Sequence, residues 1–87
     1  MTHSTPSVIV YTQPSCVYCT ALKHFLARKG IAYLERDVAQ DDHAFEELSE
    51  LGYMSTPITT INGDIVVGFD RKKLEGLLGR ASEEIVK

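Results

Sequence analysis

Two cysteines separated by two residues, Cys16-Val17-Tyr18-Cys19, stand where a β-branched run gives way to a segment of helical periodicity. They are the only cysteines in the chain. Secreted mini-proteins held by disulfides carry four or more, spread along the sequence, so a disulfide scaffold is excluded. A structural staple is a weak reading too. Closing so short a loop contributes roughly 2 kcal/mol, and cytosolic reductants would open it. The pair therefore points to redox chemistry or to half of a metal site. The fold must stand on hydrophobic burial, and 87 residues suffice for one core. At that length folding buries a little over ~60% of the unfolded surface.

The pattern around the cysteines predicts an α/β chain. Residues 1–6 read as a loose terminus, 7–80 as the domain, and 81–87 as a tail that continues as helix or frays. Ser7 to Tyr11 is β-branched and apolar on both faces, as in a buried central strand. Thr12-Gln13-Pro14-Ser15 breaks it, and Ser15 or Thr12 can accept helix N–H bonds. From Val17 to Lys29 the residues Ala21, Leu22, Phe25 and Leu26 follow helical spacing, and Gly30 is the stop. Ile31 to Arg36 reads as a second strand. Asp41-Asp42 opens a second helix with Ala44, Phe45, Leu48 and Leu51 on its apolar face and Gly52 at its end.

Pro57–Ile61 and Asp64–Val67 read as strands joined by Asn62-Gly63, the strongest short hairpin signal. Asp70 caps a last helix with Leu74, Leu77 and Leu78 on one face, weakened at Gly76 and ended at Gly79. The order β-α-β-α-β-β-α predicts a right-handed parallel crossover followed by an antiparallel hairpin. The expected product is a four-stranded mixed sheet with helices on both faces.

Composition narrows the function classes. Charged residues are 24% and hydrophobic ones 44%, as in a soluble globular domain. The net charge of −3, without a basic run, argues against nucleic acid or an anionic membrane as the main partner. The longest apolar runs fall far short of the ~18 residues a spanning helix needs. Residues 1–6 show neither a basic n-region nor an apolar h-region, so the chain is expected in the cytoplasm.

The position of the pair assigns chemistry to each sulfur. Cys16 falls at the first helical turn, where unpaired N–H groups and the positive dipole end favour an anion. Its thiol is expected to ionise below the free value of about 8.5. Cys19 lies almost one turn inward, shielded by the helix. Cys16 would attack a substrate disulfide and Cys19 would resolve the mixed disulfide. The competing zinc reading needs about four ligands, drawn from His3, His24 and His43, whose spacings match no zinc pattern. His24 and His43 read as surface residues.

Tyr11-Thr12-Gln13-Pro14-Ser15-Cys16-Val17-Tyr18-Cys19 resembles the glutaredoxin active-site segment. Ser55-Thr56-Pro57 resembles that family's cis-proline loop, and Gly68-Phe69-Asp70 the turn before its last helix. The likeness runs from about Ser7 to Leu78. It implies a thioredoxin-like fold and a dithiol–disulfide oxidoreductase with Cys16 and Cys19 as catalytic residues and redox-active disulfide. It also implies a cis Pro57 facing the sulfurs, with the Thr56 backbone turned out to pair with an extended substrate. Tyr11, Gln13, Tyr18, Thr56, Pro57, Gly68, Phe69 and Asp70 would form the substrate surface. For Tyr11 and Phe69, core packing is an equal alternative.

Gln13 stands where many glutaredoxins have Lys, Val17 where they have Pro, and Thr56 where glutathione users have Val. The Gly68-Phe69 turn and the Cys-Val-x-Cys pattern are closer to the glutaredoxin-like hydrogen donors of ribonucleotide reductase. The resemblance thus implies disulfide-containing protein substrates, ribonucleotide reductase among them. It implies no bound cofactor, and electrons from NADPH through thioredoxin reductase, with glutathione as the other source. A monomer is expected. Arg71-Lys72-Lys73 could dock an acidic partner or glutathione carboxylates, or form a solvated face offset by Asp70. The acidic second helix reads as solvated. A zinc or iron–sulfur scaffold, and an interaction domain that keeps only the fold, are the readings from other classes.

Overall fold

The computed structural model describes the backbone of residues 7–86 and the side chains of residues 7–79. The expected loose terminus, residues 1–6, lies outside the described residues. The elements are β1 (Val8–Thr12), α1 (Val17–Arg28), β2 (Leu34–Asp37), α2 (Asp42–Leu51), β3 (Ile58–Ile61), β4 (Asp64–Val67) and α3 (Arg71–Val86). The strands form one sheet in the order β2-β1-β3-β4. β1 pairs parallel with β2, Val10 opposite Glu35, and antiparallel with β3, Val10 opposite Thr59. β3 and β4 pair antiparallel. The order and the mixed sheet are those expected from the sequence, a thioredoxin-like fold.

Strand alternation divides the core between the two faces. Val8 and Val10 of β1 join Leu22, Phe25 and Leu26 of α1, Ile61, Val66, and Leu74, Leu77 and Leu78 of α3. Tyr11 joins Leu48 of α2 and Ile58, with Ile9 packed against them. A strand covered on both sides must be apolar on both sides, which is the pattern of Val8–Tyr11.

Local chemistry sets the ends of the elements. After α1, Gly30 has φ +71, a conformation that costs glycine nothing, and the N–H of Ile31 returns to the Leu26 carbonyl at 2.9 Å. That return holds Ile31 in the helix cap, so β2 begins at Leu34 rather than Ile31. Asn62 and Gly63 have φ 50 and 92, the pair of positive values a two-residue hairpin turn needs. Asn62 also anchors the start of the sheet, since its Oδ1 accepts from the Ser7 N–H at 2.8 Å.

Two further expectations are corrected. α3 does not end at Gly79 but continues to Val86. Glycine costs a helix only ~1 kcal/mol against alanine, and Leu74, Leu77 and Leu78 tie this helix to the core. α2 buries only Ala44 and Leu48. Phe45 and Leu51 stay 46% and 36% exposed, because the short helix touches the sheet along a narrow stripe.

Candidate functional site

Cys16 is the N-cap of α1, in extended backbone geometry. Its sulfur accepts the Cys19 N–H at 3.1 Å, and its carbonyl accepts the Thr20 N–H at 3.1 Å. Ser15 immediately before it has φ 60, the left-handed region that few side chains adopt. That turn swings the chain out of β1 and into the helix cap. Cys16 and Cys19 are joined as a disulfide with their Cα atoms 5.1 Å apart, inside the usual range. Cys16 is half-buried, whereas Cys19 is 2% exposed in the first turn of α1. One sulfur therefore meets solvent and the other lies behind it.

A second loop completes the site. The Thr56–Pro57 peptide is cis. The Thr56 hydroxyl lies 3.8 Å from the Cys16 sulfur, a weak O–H···S contact. Pro57 is fully buried, and its carbonyl accepts the Gly68 N–H at 2.9 Å. Thus the residue after β4 fastens the loop before β3. Tyr18 and Val17 project from the first turn of α1, 65% and 78% exposed. Met54, 74% exposed, stands two residues before Thr56.

The structure thus brings together Cys16, Cys19 and Thr56, with Pro57 and Gly68 joined to Thr56 through the loop. Gln13 lies exposed on the turn leading into Cys16. Asp70 is exposed and caps α3, its Oδ1 accepting the Lys73 N–H at 3.1 Å. Phe69 meets the Phe25 ring edge-on at 5.7 Å, half in the core. Tyr11 is set apart. It is 5% exposed in the α2-side cluster, and its hydroxyl donates to Glu47 at 3.1 Å. Packing, the alternative reading of Tyr11, is the one its position matches, because strand alternation turns it towards α2.

Two polar networks tie β1 and β2 to the helices on either side of the sheet and carry no sequence motif. Arg36 donates through Nε and Nη2 to both oxygens of Glu47, and Nη1 reaches Asp41 at 3.4 Å. The Arg36 hydrogen bonds hold the Glu47 carboxyl below its ordinary value. Burial, then Glu47, pushes the Tyr11 phenol up. On the other side of β1, Thr12 and Lys23 both donate to Glu35 Oε2 at 2.9 Å. Lys23, chiefly through that bond, holds the Glu35 carboxyl down. These contacts join positions far apart in the chain, so no local spacing announces them. Among the described residues no three His, Cys, Asp or Glu side chains gather as a metal centre would require. Nor is any helix among them long and apolar enough to cross a membrane.

The sequence profile of the glutaredoxin family matches residues 8–66. A glutaredoxin-like 8.6 kDa protein of the rubredoxin operon of Clostridium pasteurianum is 33% identical over 70 residues, 79% of this chain and 93% of that one. The glutaredoxin-like protein NrdH of Lactococcus lactis is 27% identical over 80% of this chain and 97% of its own length. Among solved structures, a thioredoxin-like protein superposes with a TM-score of 0.79 at 41% identity, covering 83% of this chain and all of the other. The NrdH-redoxin of Escherichia coli superposes with a TM-score of 0.74 at 24% identity, over 82% of this chain and 93% of that one. That last likeness is one of fold.

Proposed function

This chain belongs to the glutaredoxin family and is a thiol–disulfide oxidoreductase akin to the NrdH-like redoxins, and on that premise we propose that Cys16 attacks and Cys19 resolves. The observation that carries the assignment is the helix cap. The Cys16 sulfur already accepts an N–H of the first turn, and the same donor and dipole would hold its negative charge once reduced. Cys19 has almost no solvent contact, so a large substrate disulfide meets Cys16 first.

The steps balance as two successive exchanges. The Cys16 thiolate attacks one sulfur of the substrate disulfide, the S–S bond breaks, and the first substrate thiolate leaves. Cys19 then loses its proton to solvent and attacks the Cys16 sulfur. The second substrate thiolate leaves, and the Cys16–Cys19 disulfide remains. Two electrons have passed to the substrate. Thr56 and Pro57 would lie beside the mixed disulfide, and Tyr18 with Gln13 and the Gly68–Asp70 turn would border the substrate groove. This chemistry needs no resident cofactor.

For the electron source the reading favours NADPH through thioredoxin reductase over glutathione. It is supported by Gln13, which puts no cation ahead of the dithiol, and by the Gly68-Phe69-Asp70 turn. The relative from Lactococcus lactis carries the NrdH name. Disulfide-bearing proteins, ribonucleotide reductase among them, are the substrates this reading proposes, acting in the cytoplasm. The test is NADPH oxidation with hydroxyethyl disulfide as acceptor, driven either by thioredoxin reductase or by glutathione with glutathione reductase. Faster turnover with the first supports the reading. Turnover only with the second overturns it.

A further inference from the structure

Ala21, His24, Phe25 and Arg28 recur at i, i+3, i+4 and i+7, one stripe of α1. Across a cleft of about 470 Å³ they face Phe69 and Arg71, with Lys29 at the end. The floor is aromatic, formed by Phe25 and the Phe69 ring set edge-on to it at 5.7 Å. The rim is cationic. Lys29 Nζ and the Arg71 guanidinium lie 5.3 and 5.6 Å from the centre of the Phe25 ring. Glu75 reaches Lys29 and Arg71 only at 3.9 and 3.8 Å. Among the described residues Glu75 is the carboxylate that reaches Lys29 and Arg71, against the three cations Arg28, Lys29 and Arg71, while Asp41, Asp42, Glu46, Glu47 and Glu50 gather at α2 on the opposite face of the sheet. A chain of net charge −3 has kept a positive cleft.

The cleft also has a direction. Ala21 is ~7.5 Å and Arg28 ~18 Å along the helix axis from Cys16, at 1.5 Å per residue. Phe69 follows Gly68, whose N–H holds the Pro57 carbonyl. One end therefore adjoins the elements that carry the dithiol, and the other leads away. From Ala21 to Arg28 the span is ~10 Å, room for about three residues of extended chain.

We propose that this cleft docks an acidic segment of the disulfide-bearing protein, carboxylates on Arg28, Lys29 and Arg71 and an apolar side chain against the half-buried Phe69 ring. The proposal rests on the oxidoreductase reading of Cys16. Docking would raise the effective concentration of the disulfide at Cys16 without touching the sulfurs. Surface ion pairs are individually weak, so two or three of them are expected to change the rate by about five- to tenfold.

Two synthetic peptides with the same internal disulfide test it, one extended by Glu-Asp-Leu-Glu and the other by Gly-Ser-Gly-Ser. At low salt the acidic peptide should be reduced with a kcat/KM about five- to tenfold higher, an advantage that shrinks at high ionic strength. The ratio between the two peptides should fall to about one in Arg28→Gln/Arg71→Gln and independently in Lys29→Gln/Arg71→Gln. Equal rates for both peptides in the wild-type chain, or a ratio that survives in the folded variants, would overturn the docking site. So would sedimentation showing that a second copy, through its acidic α2, occupies the cleft. Hydroxyethyl disulfide separates the two levels: if the wild-type chain cannot reduce it, the oxidoreductase reading itself has failed, whatever the peptides do.

Discussion

The backbone N–H of Cys19 points at the sulfur of Cys16 from 3.1 Å, so the resolving residue supplies the amide that steadies the attacking one. The two cysteines are thus unequal before any substrate arrives. One caps the helix with its side chain, and the other is sealed beneath it.

That inequality predicts opposite fates for the two single variants. Cys16→Ser should abolish disulfide reduction. Cys19→Ser should still attack but stall, leaving a mixed disulfide visible by intact-protein mass spectrometry. Ultraviolet absorbance of the reduced chain should show Cys16 ionising below the free-cysteine value of about 8.5. A Cys16→Ser variant that still turned over would reverse the roles.

Tyr11 is expected to matter for stability and not for turnover. Tyr11→Phe removes the hydrogen bond to Glu47 while keeping the ring in its cluster. Urea denaturation should show a loss of about 0.5–1.5 kcal/mol. A fall in kcat with unchanged stability would return Tyr11 to the substrate surface.

Glu47 and Glu35 make stability depend on acid. Both carboxyls have folded-state values below their unfolded ones, held down by Arg36 and Lys23. Their contribution is therefore complete above the unfolded value of about 4.3 and is lost as pH falls through the lower folded values. The urea midpoint should drop from pH 6 to pH 3, and by less in Glu47→Gln and Glu35→Gln. A midpoint that rose on acidification would refute the assignment.

Thr59 should be improvable. Its hydroxyl is buried in β3 with no hydrogen-bond partner among the described residues. Thr59→Val keeps the β-branched shape and removes the orphan oxygen. A gain of about 1 kcal/mol is expected, raising Tm by roughly 4–8 °C in a domain this small. Calorimetry showing a lower Tm would mean that the hydroxyl is satisfied after all.

Much of this protein could be read along the chain because the relevant physics is local. Asn62-Gly63 dictates its turn through two positive φ values, and Asp41 and Asp70 cap helices through their own side-chain oxygens. The continuous apolar run at Val8–Tyr11 demands cover on both faces wherever it folds. Cys16 and Cys19 differ because one begins a helix and the other lies inside it, which their place at the junction of strand and helix conveys. The end of α3 was not legible, since Gly79 is a stop signal that long-range burial of Leu74, Leu77 and Leu78 outweighs.

What only the tertiary structure decided are the contacts between residues that have no periodic relation. Thr56 meets Cys16 across 40 positions, Tyr11 meets Glu47 across 36, and Phe25 meets Phe69 across the groove between α1 and α3. Backbone dihedrals and helical repeat act over a few residues, so the sequence alone determines the elements, their caps and the place of the dithiol. Which side chains then share a surface depends on how the sheet stacks those elements, and that is settled by packing the whole core at once.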